Sequence, residues 1–281
     1  MHRPEPIKFF THGTTLAYRS FGHGPSPLIA LHGFGRTGDD FHVLQAALGD
    51  SFTIHAFDLH FHGQSPGYPQ RANEPFTAHE LAAFFTAFIA SIGAERASIL
   101  GYSLGGRIAM SLMEQMPERI DRLLLVAPDG LKTRPWYRSM AASRVGRWAY
   151  KRFVSHPERV HFTMDALRAL RLMNERMHRF LKGQTDSRAK RMLVHDVWLS
   201  YRGIEPDLRQ VGANAESHRI PVHLFFGEFD RVIPPQLGRN LVHHARQHLQ
   251  QHVLPFGHVL LNVELGAAVS RVVRDEGAVL K

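Results

Sequence analysis

Two patterns of apolar and polar positions alternate along this chain of 281 residues. The first is a set of short apolar runs, of which Leu28-Ile29-Ala30-Leu31 is the clearest. A continuous apolar run of that length fits a strand covered on both faces. On this basis strands are predicted at Ile7–Thr11, Thr14–Phe21, Pro27–Leu31, Phe52–Phe57, Ala97–Leu100, Leu123–Val126, Pro221–Phe226 and His252–Leu254. The second pattern has helical spacing. In Glu74–Ile92, the residues Leu81, Phe84, Phe85, Phe88 and Ile92 fall on one side of a helix. Further helices are predicted around Asp40–Leu48, Ile108–Met116 (stopping before Pro117), Leu237–Gln247 and Val263–Arg274. Strands alternating with helices predict an α/β fold, a mostly parallel central sheet with helices on both faces.

Between Asp129 and residue 211 the strand pattern is absent, and the chain reads as helical, basic and aromatic. This predicts a core of residues 1–129 and 211–281, with a helical lid over residues 130–210 inserted after the sixth strand. Charge sharpens the division. The whole chain carries a formal net charge of +9, while residues 130–210 hold 18 Lys and Arg against 7 Asp and Glu. The remainder is therefore slightly acidic, and the basic character belongs to one segment.

Composition excludes several classes. With no cysteine, disulfides, thiolate catalysis and Cys-ligated metals are ruled out. No apolar run approaches the roughly 20 residues of a membrane-spanning helix. The first residues lack the apolar stretch of a secretory signal, which points to the cytoplasm as the expected compartment. No nucleic-acid-binding module accompanies the basic charge, so nucleic acid is not an expected partner. His60 with His62, and His244 with His248, have the spacing of metal-ligand pairs but no evident third ligand. No metal and no cofactor are expected.

The most informative stretch is Gly101-Tyr102-Ser103-Leu104-Gly105, a G-x-S-x-G placed after a predicted strand and before a predicted helix. A serine hydroxyl is a weak nucleophile unless it meets a base and a substrate together. A sharp strand-to-helix turn presents it to both, and the helix N-terminus beneath favours an anion. Ser103 is therefore the candidate nucleophile. In these residues and their context the chain resembles the α/β-hydrolase family, over most of its length outside residues 130–210.

That resemblance implies the remaining parts. Leu31-His32-Gly33-Phe34-Gly35 stands where the family places half of its oxyanion hole, which assigns the backbone N–H groups of Phe34 and Leu104 to the developing charge. Gly227-Glu228-Phe229-Asp230 is similar to the family's segment carrying the triad acid, which maps to Asp230, with Asp129 as the competing acid. Phe256-Gly257-His258 stands where the family's histidine lies, making His258 the expected base. The order Ser103, Asp230, His258 is the one that fold uses. Phe57–Ser65 looks like the family's loop after the fourth strand and is given no chemistry.

The same resemblance orders the possible reactions. Dehalogenases and epoxide hydrolases of this layout use aspartate where this chain has Ser103. Carbon–carbon hydrolases carry tryptophan after the base, where this chain has Val259. Hydrolysis of a small-molecule carboxylic ester through an acyl-enzyme, with short to medium acyl groups, is the expected activity. A carbon–carbon hydrolase, a lipase or phospholipase at an anionic surface, and a non-catalytic receptor on the same fold remain alternatives.

The lid supplies candidate pocket residues in Trp136, Met140, Trp148, Met173 and Met177, as bulky rings and flexible methionines make an adaptable apolar surface. Helical spacing also predicts one helix through residues 168–182. Leu170, Met173, Met177, Phe180 and Leu181 would share one face, opposite Arg168, Arg171, Arg179 and Lys182. Such a basic face fits solvent, an acidic protein or an anionic lipid surface. In this helical lid the chain also resembles the pimeloyl-carrier-protein methyl esterase type.

Overall fold

The computed structural model describes residues 4–132, 143–173, 175, 178, 182, 183, 185–245 and 247–279. Eight strands form one sheet in the order β1-β2-β4-β3-β5-β6-β7-β8. They span Ile7–Thr11 (β1), Thr14–Phe21 (β2), Ser26–Leu31 (β3), Phe52–Phe57 (β4), Ala97–Tyr102 (β5), Ile120–Val126 (β6), Val222–Gly227 (β7) and Leu249–Leu254 (β8). β1 and β2 pair antiparallel, as do β2 and β4, and every pairing from β4 through β8 is parallel.

Helices connect the strands. They are Gln45–Leu48 (α1), Ala78–Ser91 (α2), Leu104–Gln115 (α3), Arg144–Ser155 (α4), Glu158–Ala169 (α5), Arg188–Ser200 (α6), Leu208–Ser217 (α7), Arg239–Val242 (α8) and Val263–Val279 (α9). Burial follows the apolar runs: Leu28 to Leu31 are all fully buried. A group of rings fastens α2 to the sheet. Phe88 meets Phe57 edge-on at 4.7 Å and Tyr18 at 5.0 Å, and Phe9 meets Phe84 at 5.4 Å. Such pairs add about 1 kcal/mol each beyond burial.

The register carries the functional consequence. Leu31 lies opposite Gly101, Tyr102 opposite Val126, and Gly227 opposite Leu254, so the C-terminal ends of β3, β5, β6, β7 and β8 share one edge. The chain leaves β3 for β4 on one side and returns to β5 on the other. At that reversal the loops after neighbouring strands diverge and leave a crevice, where α/β sheets bind their ligands.

The chain divides into two compact units, one of residues 1–66, 77–133 and 204–281, the other of 67–76 and 134–203. The elements described between β6 and β7 are all helices, joined by turns and short irregular stretches. The second unit also takes in residues 67–76, which the apolar pattern placed with the core. They are tied there by hydrogen bonds from the Phe76 N–H to the Ser200 carbonyl (2.8 Å) and from Arg202 to the Ala72 carbonyl (2.7 Å). The Phe76 and Tyr201 rings pack at 5.4 Å. Within this unit the buried Arg191 guanidinium joins three stretches, donating to the Val154 and Thr185 carbonyls at 3.0 and 2.9 Å.

Three helical expectations need correction. α2 begins at Ala78, not Glu74, because Thr77 caps it: its hydroxyl accepts the Glu80 N–H while the Glu80 carboxylate accepts the Thr77 N–H. The helix predicted at Leu237–Gln247 is a 3₁₀ turn at Pro235–Gly238 followed by the short α8. The helix predicted through residues 168–182 is interrupted, since α5 ends at Ala169. There Arg171 adopts φ 58°, its N–H bonds the Arg168 carbonyl and the Leu172 N–H bonds that of Leu167. This pair of bonds around a left-handed residue is a Schellman stop, usually made by glycine. Leu170 is consequently exposed instead of lining a helix face with Met173. Phe180 and Leu181 lie outside the described residues, as do Met177 and Arg179.

Candidate active site

Ser103 sits between the end of β5 and the first turn of α3, with φ 51° and ψ −111°. A non-glycine residue held there is strained by about 1–3 kcal/mol, and surrounding structure must hold it. The hold is visible. The Ser103 N–H donates to the Val126 carbonyl (3.0 Å), and its own carbonyl accepts from the Gly106 and Asp129 N–H groups, both at 2.9 Å. The flanking glycines have no space for a side chain. A Cβ on Gly105 would stand 2.0 Å from the Leu31 carbonyl oxygen, and one on Gly101 would stand 2.5 Å from that of Gly105.

The loop after β3 lies directly against this turn. A Cβ on Gly33 would be 3.1 Å from that of Ser103, and the Gly105 N–H donates to the His32 carbonyl at 3.0 Å. Gly33 to Arg36 form a turn closed by the Arg36 N–H on the Gly33 carbonyl (3.2 Å), with Gly35 in the left-handed region at φ 69°. His32, fully buried, donates Nδ1–H to the same carbonyl at 2.7 Å. In a trans peptide the C=O and the next N–H point oppositely. Holding the Gly33 C=O therefore aims the Phe34 N–H away from His32. The Leu104 N–H stands at the first position of α3, where helix N–H groups lack intrahelical acceptors.

Asp230 and His258 meet across two loops. His258 Nδ1 donates to Asp230 Oδ2 at 2.7 Å, while Asp230 Oδ1 accepts the Val232 and Ile233 N–H groups at 2.8 and 2.9 Å. Three donors hold this buried carboxylate in one orientation. With Nδ1 committed, Nε2 is the nitrogen able to take a proton. The competing acid is engaged elsewhere: Asp129 pairs with Arg107 and accepts the Gly130 N–H at 2.8 Å.

Tyr102, the residue before Ser103, joins the two halves. Its hydroxyl donates to the His258 carbonyl at 2.8 Å, and the two rings lie 5.7 Å apart. Burial pushes this phenol up to about 12, so it stays a donor. The residue pattern gave no reason to single out Tyr102. It named His62 only beside His60 as a metal-ligand spacing, whereas in the fold Nε2 of the buried His62 accepts the Gly35 N–H of the β3 loop at 3.0 Å. The buried Asp58 accepts the Gly38 and Gln64 N–H groups at 2.7 and 2.8 Å. The loop given no chemistry thus carries the bonds that hold the β3 loop in place.

Of the candidate pocket residues, Trp136, Met140 and Met177 lie outside the described residues. Met173 is half-buried, and Trp148 is 65% exposed on α4. Among the described residues no group of three or more His, Cys, Asp or Glu side chains is arranged to hold a metal ion. None of the described helices is long and apolar enough to cross a membrane.

Comparison with known proteins agrees with this fold. An uncharacterized protein of Mycobacterium tuberculosis is 35% identical over 132 residues, 46% of this chain and 36% of its own length. The pimeloyl-[acyl-carrier protein] methyl ester esterase of Salmonella newport is 33% identical over 110 residues, 39% of this chain and 40% of its own. The chain thus spans well under half of these curated relatives. Among solved structures, an esterase from Thermogutta terrifontis superposes with a TM-score of 0.66 at 20% identity, covering 96% of this chain and 97% of its own. The family described as having the alpha/beta hydrolase fold matches residues 26–264, most of the chain. This chain belongs to the α/β-hydrolase fold family.

Proposed function

We propose that this protein is a serine hydrolase of carboxylic esters, with Ser103 as nucleophile, His258 as base, Asp230 as triad acid and the Phe34 and Leu104 N–H groups as oxyanion hole. The observation that carries the reading is the Asp230–His258 bond, tethered through Tyr102 to a strained serine turn. In the proposed course Ser103 Oγ attacks the ester carbonyl as its proton passes to His258 Nε2. The carbonyl electron pair moves onto oxygen, where the two N–H groups meet it. Collapse expels the alcohol, which takes the proton from His258 and leaves an acyl-enzyme. Water then attacks by the reverse proton path and releases the acid. The esterase names among relatives and neighbours favour esters over carbon–carbon bonds.

A fluorophosphonate probe tests the nucleophile: it should label the wild-type chain at Ser103 and leave Ser103→Ala unlabelled. No labelling of a well-folded wild type would favour a non-catalytic receptor. A panel of p-nitrophenyl esters from acetate to palmitate then tests the substrate class, with turnover expected at short to medium acyl groups.

A second reading concerns where such a substrate is met. In the second unit Val145, Trp148, Phe162, Leu170 and Leu172 are exposed within the basic segment. Apolar and aromatic side chains among arginines and lysines fit an anionic lipid surface, and an acidic carrier protein is the other partner of that charge. Salt-sensitive sedimentation with phosphatidylglycerol vesicles would support the lipid reading, and none with these or with neutral vesicles would reject it.

A further inference from the structure

His62 is buried, lies 27 residues from the glycine it bonds, and is assigned no part in the chemistry above. Its ring can be read atom by atom. Nδ1 lies 3.0 Å from the His60 carbonyl oxygen, an acceptor, so Nδ1 carries the proton. Nε2 lies 3.0 Å from the Gly35 N–H, a donor, so Nε2 is the acceptor. His32 repeats the pattern, with Nδ1 on the Gly33 carbonyl (2.7 Å) and Nε2 accepting the Leu59 N–H (2.9 Å). The two rings meet edge to face at 4.9 Å, and the Phe34 ring stands against His62 at 5.9 Å.

The two peptide planes flanking the Phe34 Cα are therefore each held by a histidine nitrogen: His32 holds the Gly33 carbonyl and His62 the Gly35 N–H. Gly35, at φ 69°, has no side chain of its own to hold the turn, and a Cβ there would meet nothing within 4 Å. Packing does not pin this turn from the Gly35 side; the His62 bond does. We infer that His62 is a positioning residue for ester hydrolysis, keeping the Phe34 N–H aimed at the oxyanion while its ring is neutral and releasing Gly35 when the ring is protonated. This inference rests on the reading of Ser103 as nucleophile.

A second proton would turn the Nε2 acceptor into a donor facing the Gly35 N–H, and the bond would become a repulsion. Burial, the largest influence, pushes His62 below its ordinary 6.5 and favours the neutral form, against the His60 carbonyl and the Asp58 carboxylate, which act the other way. The charged and titratable groups facing it are His32 and, through His32, Arg36 from the β3 loop, and Asp58 from its own loop. His32 is itself held well below 6.5, chiefly by burial.

The test uses the full chain with p-nitrophenyl butyrate and two variants. His62→Phe keeps the ring and removes the acceptor, while His62→Gln keeps an acceptor near the Nε2 position and cannot titrate. Expected for His62→Phe is a fall in kcat of about tenfold to hundredfold, with KM within about twofold, as the oxyanion donor matters in the transition state. His62→Gln should recover at least about a third of wild-type kcat. On acidification log kcat should fall more steeply in wild type than in His62→Gln, which has one proton fewer to gain. Equal kcat in His62→Phe and wild type would overturn the inference. So would a His62→Gln no better than His62→Phe, or identical acid limbs in wild type and His62→Gln. Should His62→Phe fail to fold, the comparison of acid limbs decides. A wild type that neither turns over the ester nor labels at Ser103 would instead sink the proposed function itself.

Discussion

At the scale of single residues, two aspartates compete for one role and their partners separate them. Asp230 is buried, takes three hydrogen bonds and orients His258, while Asp129 is bound to Arg107. Asp230→Asn presents an amide that can leave the imidazole in the wrong tautomer, and kcat should fall by about 10⁴ with the fold intact. Asp129→Asn removes a charge from a partly exposed pair and should change kcat by less than about tenfold. Steady-state kinetics with a p-nitrophenyl ester, with circular dichroism as a folding control, checks both. A larger loss in Asp129→Asn would move the acid to that strand end. Ser103 was legible from five residues and their flanks because a strained turn needs glycines on both sides locally. His62 was not, because its partner is 27 residues away and only folding places an imidazole against that N–H.

At the scale of elements, the strands were read closely and the helix ends less so. The buried β4 leaves a nearly continuous apolar run and matches its predicted bounds, as do the more exposed β1 and β2. The apolar period alone carries α2 back through Pro75, past its true start. Thr77 and Glu80 mark that start with a capping box that the residues themselves contain. The stop of α5 had no such signal, since a left-handed arginine is uncommon and glycine is the usual cue. A prediction belongs here. Arg171→Gly relieves the Cβ clash of the left-handed region and should stabilise the second unit by about 1 kcal/mol. The gain should appear as a higher urea midpoint or as slower proteolysis within residues 134–203. A destabilised variant would show that the arginine side chain contributes more than its backbone strain costs.

At the scale of the whole molecule, buried histidines make stability depend on pH. Burial pushes His55 down to about 4, and burial is also the chief cause that lowers His32, His62 and His252. Below about 6.5 the unfolded chain binds protons at these positions that the folded chain refuses. Their contribution is complete above 6.5 and is lost as pH falls toward each folded value. His55 alone accounts for roughly 2 kcal/mol between pH 7 and pH 5, as an order of magnitude. Glu276 adds to the acid side at lower pH: despite partial burial it is held below its ordinary range by His223 and Arg122, and its contribution fades as it protonates. Urea midpoints should therefore drop steadily from pH 7 to pH 5. A flat midpoint over that interval would show that these rings are not neutral in the fold.

By itself the sequence determined the class of fold and the turn that carries the proposed nucleophile, while the chain order of the proposed triad came with the family resemblance. Fold class and turn depend on local rules: apolar runs make buried strands, and a glycine-flanked serine between strand and helix makes a strained turn. Only the tertiary structure decided which acid the histidine bonds and which rings brace the β3 loop. It also decided that residues 67–76 pack with a segment more than a hundred positions later. Such choices turn on distances of about 3 Å between groups far apart in the chain. Hydrogen bonds act only at that range, and residue order does not encode it.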